Sequence, residues 1–99
     1  MKVIWSAQAK KTFFSVLEYL QDNWTKKEII QFNNKTEAIL RAISKHPKMF
    51  PQSKQNESIR KAVIDKNNSL FYSEDVQNQT IFILTFFDNR QDPGKLNLR

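Results

Sequence analysis

The chain has no cysteine, one glycine, one histidine and no long apolar run. Without cysteine there is no disulfide framework and no thiolate metal site, as expected of a reducing cytoplasm. The lone Gly94 excludes Gly-rich phosphate loops and both common nucleotide fingerprints. No stretch approaches the roughly 20 apolar residues that a membrane-spanning helix needs. The start does not read as a secretory leader, because Lys10 and Lys11 interrupt the early apolar stretch. No metal, cofactor or membrane partner is expected.

What is present suits one small domain. The 99 residues are 39% apolar, with eight phenylalanines. A chain this short buries one modest core, and aromatics supply much of its area. Sixteen basic and ten acidic side chains leave a net charge of +6. Residues 1–50 hold nine basic against four acidic groups, and residues 51–99 seven against six. The excess therefore sits on the N-terminal half. It favours an acidic partner, either nucleic acid or protein; the plainer reading is a solvated helix surface.

Lys2 to Trp5 is short and β-prone, which predicts a first strand. Ser6 can cap the helix that follows. Ala9, Phe13, Val16, Leu17, Leu20 and Trp24 recur at helical spacing, predicting a helix over 7–23. Thr25-Lys26-Lys27-Glu28 is a capping box, with Trp24 and Ile29 set as a hydrophobic staple. Ile29, Phe32, Thr36, Ile39, Leu40 and Ile43 then form the buried stripe of a second helix. It must stop near Lys45, since His46 precedes Pro47. With almost no linker, the two helices form an antiparallel hairpin. Lys10, Lys11, Lys26 and Lys27 gather around that hairpin, facing an acidic partner or water.

Residues 47–56 read as a loop. Three β-prone runs follow: Ser58 to Ile64, Leu70 to Ser73 and Gln79 to Phe87, with a turn around Asp75 to Gln79. In the last run Ile81, Ile83, Thr85 and Phe87 face one way, and Phe82, Leu84 and Phe86 the other. The tail from Pro93 to Arg99 is expected to fray. The fold class is α+β in two layers: an N-terminal strand, an antiparallel helical hairpin, then a three-stranded antiparallel meander. The second face of the sheet is left open as a binding surface.

Several features are distinctive together. They are Lys2-Val3-Ile4-Trp5-Ser6 leading into a helix, Tyr19-Leu20 with Trp24 near its end, and Pro47 and Pro51 after the second helix. To these are added Ile59-Arg60-Lys61, Leu70-Phe71-Tyr72 and the ending Phe87-Asp88-Asn89-Arg90-Gln91-Asp92. In this order and length the chain resembles the RelE/ParE superfamily of bacterial toxins from type II toxin–antitoxin systems. The resemblance implies a growth-inhibiting toxin, a cognate antitoxin in a hetero-oligomer, and one of two targets, or else an inactive relative that only binds nucleic acid or a partner protein. RelE-type members are ribosome-dependent mRNA endonucleases. ParE-type members share the fold and poison DNA gyrase without being nucleases.

The nuclease chemistry needs a base for the ribose 2′-OH, cations for the phosphate and an acid for the leaving oxygen. By resemblance, Arg60 and Arg90 are the basic residues that carry over, as catalytic groups in a nuclease or as target contacts otherwise. Tyr72 could stack on a base or pack in the meander. Departures from the nuclease pattern are Ser69 and Ala62, where basic residues are usual, and a tail with no Tyr or His after Arg90. Trp24 and the Phe-Asp-x-Arg-x-Asp ending look closer to the ParE-type branch. Arg90 could instead bridge to Asp88 or Asp92 and fix the turn. His46 suits a helix end, and Asp88 with Asp92 lacks a third metal ligand.

Overall fold

A computed structural model describes residues 1–96 and Leu98. The elements are β1 (Lys2–Trp5), α1 (Ala7–Asn23), α2 (Lys26–Lys45), β2 (Ile59–Val63), β3 (Asn68–Asp75) and β4 (Thr80–Asp88). The tail expected to fray has a 3-10 turn at Pro93–Lys95; its residues Asn97 and Arg99 lie outside the described residues.

Both helices start where their caps stand. The Ser6 hydroxyl accepts the Ala9 N–H at 2.9 Å. Thr25 and Glu28 form the reciprocal capping box, satisfying donors that the first turn leaves orphaned. The His46 N–H still bonds Ala42 O, and the helix stops there, one residue before Pro47.

The sheet order is β1-β4-β3-β2. β2, β3 and β4 form the expected antiparallel meander, and β1 adds to β4 in parallel. The N-terminal strand thus makes β4 central, which explains apolar residues on both of its faces. The outer edge of β2 is partly covered by the 47–56 loop. Lys61 N–H bonds Pro51 O at 2.9 Å, and Ser53 N–H bonds Ile59 O at 2.7 Å, which blunts an exposed edge. At the β3–β4 turn, Gln79 takes a left-handed φ of 47°.

One feature of β4 departs from simple alternation. Tyr72 pairs with Ile83 and Phe71 with Thr85, so Leu84 is an extra residue, a bulge. It re-phases the strand. Phe86, rather than Thr85 or Phe87, joins Ile81 and Ile83 in the core beneath the helices. Its ring lies 5.2 Å from Trp5 and 5.0 Å from Phe13. Phe87 instead meets Phe71 edge-on at 6.5 Å. The Lys61 ammonium sits 5.9 Å over Phe71, so this second face is not bare: Phe71 is buried.

The bulge is fastened to α1. The Ser6 hydroxyl donates to Leu84 O at 2.9 Å. The Phe86 N–H donates to Thr12 Oγ1 at 2.9 Å, and Gln8 Nε2 donates to Thr85 Oγ1 at 3.2 Å. Replacing Thr12 by valine keeps the shape and leaves the Phe86 N–H without its acceptor. We expect Thr12→Val to lower unfolding free energy by about 1–3 kcal/mol in urea denaturation, and Thr12→Ser to restore most of it.

Candidate functional site

β4 ends in the turn that carries Arg90. Asp88 Oδ1 accepts the Arg90 backbone N–H at 2.9 Å and Nε at 3.0 Å, and Oδ2 accepts Nη2 at 2.8 Å. The guanidinium lies 5.6 Å over the Tyr19 ring, within cation–π range. The partner of Arg90 is thus Asp88. Asp92 is engaged elsewhere, accepting the Gly94 N–H at 2.9 Å. Asp88, then Tyr19, hold Arg90 above the ordinary arginine range. The hydrogen bond from Arg90 holds the Asp88 carboxyl below the usual carboxylate range.

The turn is tied to the neighbouring loop. The Asn89 N–H bonds Asn67 O at 2.7 Å, and Asn89 Oδ1 accepts the Ser69 hydroxyl at 2.7 Å. Ser69 is fully buried, so this position, basic in the nuclease pattern, here braces the Arg90 turn. Ala62 is also fully buried among the core residues. A charged lysine there would have to leave water.

Between α1 and this turn lies a cleft of about 300 Å³, bordered by Tyr19, Trp24, Asn68, Asp88 and Arg90. Its α1 wall combines Val16 and Leu20 with the polar set Gln8, Thr12, Ser15 and Tyr19. Those four recur at helical spacing beside the apolar stripe. That second stripe is the signal by which the sequence could have marked the wall.

Arg60 stands elsewhere. It pairs with Tyr72 across β2–β3, and its Nη1 donates to Phe50 O at 2.7 Å and to Lys48 O at 3.5 Å. Tyr72 is 0% exposed, and its hydroxyl donates to Pro47 O at 2.7 Å. Burial pushes its phenol up, against the Arg60 charge. Tyr72 is therefore a core residue, with no ring face free to stack on a base. Together Arg60 and Tyr72 bind the start of the 47–56 loop to the sheet. Tyr72 faces Ile83, whereas Arg90 follows Asp88. Ile83 to Asp88 is about 15 Å of strand, so the two arginines do not converge. His46 is exposed at the end of α2. Among the described residues no three His, Cys, Asp or Glu gather as metal ligands.

The Asp88 shift has a sign that can be checked. A lowered carboxyl pKa contributes stability that is complete above the unfolded value of about 3.9. That contribution is lost as pH falls through the lower folded value. In an NMR titration, Asp88 should titrate below the ordinary carboxylate range, and Arg90→Ala should return it to that range. For the loop, we expect Arg60→Gln to speed amide exchange at Ser53 and Lys61 by about tenfold, since a lost net hydrogen bond is worth about 1 kcal/mol or more.

The fold is shared with solved toxins. A YoeB/ParE toxin from Agrobacterium tumefaciens superposes with a TM-score of 0.65 at 13% identity, covering 90% of this chain and 99% of that one. A YoeB dimer from Staphylococcus aureus gives 0.58 at 18% identity, covering 92% and 98%. A heterotetrameric YoeB–YefM toxin–antitoxin complex from the same organism gives 0.57 at 18%, with the same coverage. No curated protein matches the sequence. The family profile described as ParE toxin of type II toxin-antitoxin system, parDE, matches residues 3–93. With nearly the whole chain matched, the protein belongs to this family of ParE toxins.

Proposed function

We propose that this toxin inhibits bacterial growth by binding and poisoning DNA gyrase in the cytoplasm, without catalysis of its own, and that a cognate antitoxin neutralises it. The observation that carries this reading is the separation of Arg60 from Arg90. Phosphodiester cleavage needs a base, an acid and cations around one phosphate. Here Arg60, opposite Tyr72 and Ile83, is bound to loop carbonyls and Arg90 to Asp88, and the stretch of β4 from Ile83 to Asp88 is about 15 Å long. Arg90 is the target contact in this reading. It is half exposed, rigidly held, and stacked beside a cleft. Arg60 and Tyr72 act by positioning the 47–56 loop.

The antitoxin partner is supported by family membership and by the similar YoeB–YefM complex, which is a hetero-oligomer. A toxin with net charge +6 attracts an acidic segment that folds on binding.

The test is induced expression in a bacterial host, with pulse-labelling of new DNA and new protein in the first minutes. DNA synthesis should fall first, and purified gyrase should accumulate cleaved DNA when the toxin is added. A prompt fall in protein synthesis with DNA synthesis intact would replace this reading with ribosome-dependent mRNA cleavage. If soluble toxin stopped neither, an inactive binding relative would remain. Arg90→Ala should weaken toxicity by about tenfold or more, the size of one charge-assisted contact, with melting temperature little changed.

A further inference from the structure

α2 buries Phe32, Thr36 and Ile43. On the opposite side Lys27, Ile30, Asn34, Ala38, Arg41 and Lys45 recur at helical spacing, and all six are exposed. Lys27 to Lys45 spans about 27 Å of helix axis. Among the described residues the Arg90–Asp88 contact is the one ion pair, so none of these three cations is neutralised by a neighbour. Of the acids on α2, Glu28 is engaged in the capping box, which leaves Glu37 at the margin of the stripe. Three of the nine basic groups of the N-terminal half are thus displayed in a line.

We propose that this face of α2 binds the phosphate backbone of duplex DNA, without reading base sequence. A duplex presents a phosphate about every 3.4 Å along each strand. A row of cations separated by small residues such as Asn34 and Ala38 lets the helix approach it closely. Phosphate contacts need only such donors. A peptide partner would need buried apolar anchors, and Ile30 is the one large apolar side chain in the stripe. The cleft at Arg90 is built from α1 and β4, so both surfaces can be occupied together. DNA binding by α2 does not depend on gyrase being the target.

The test is fluorescence anisotropy of the full chain with a labelled duplex of arbitrary sequence. Binding should be micromolar at about 50 mM salt and weaken about 40-fold by 200 mM, the slope for three phosphate contacts. The variant Lys27→Gln/Arg41→Gln/Lys45→Gln should lose most of that slope. Glutamine is a good helix former, and circular dichroism checks that the fold is intact. The variant Lys54→Gln/Lys66→Gln/Lys95→Gln removes as much charge from elsewhere and should keep the slope. The proposal is overturned if the wild type does not bind at 50 mM, or if both variants bind alike. It is also overturned if polyglutamate, and not the duplex, binds through the stripe, which would assign the face to an acidic protein.

Discussion

The bulge at Leu84 is the constraint on which the arrangement depends. One extra residue in β4 turns Phe86 inward, against Trp5 and Phe13, and lets Phe87 face Phe71. A bulge leaves backbone groups out of the ladder, and here α1 takes them up. Ser6 donates to Leu84 O, and Thr12 accepts the Phe86 N–H. Ser6 also caps α1 through the same hydroxyl. The start of the helix and the kink in the central strand are therefore one structure. Because Thr12 and Tyr19 share a face of α1, anchoring the bulge also sets Tyr19 beside the Arg90 turn.

Electrostatically the molecule has two regions of different character. At the end of β4, Asp88 fixes Arg90 by three hydrogen bonds, and Tyr19 covers its face. An exposed ion pair is weak as a stabilising element, but this one gives the guanidinium a single orientation. On α2 the cations have no such partners among the described residues. One region offers a rigid, specific contact and the other a field that acts without close fit.

Much of the fold was legible because its signals are local. Ser6, the Thr25–Glu28 box and the His46-Pro47 step act within a few residues, and both helices begin and end where those signals stand. The strands are legible too, though β3 extends beyond Leu70 to Ser73, to Asn68–Asp75. Its ends are polar, and pairing with β4 rather than composition makes them strand. The candidate site was less legible. Arg90 stood out by its turn, and the alternative of a bridge to Asp88 is what the side chains adopt. Arg60 and Tyr72 looked like partners of Arg90 in function, and they are instead partners of each other across β2–β3.

The sequence by itself determined the order of elements, the caps and the helical hairpin, because each follows from spacing along one segment. Only the tertiary structure decided that β1 joins β4 in parallel, that Leu84 is an extra residue, that Tyr72 is wholly buried and that Arg60 lies far from Arg90. Those depend on register between segments distant in the chain. A shift of one residue reverses every side chain beyond it, and no local propensity records it.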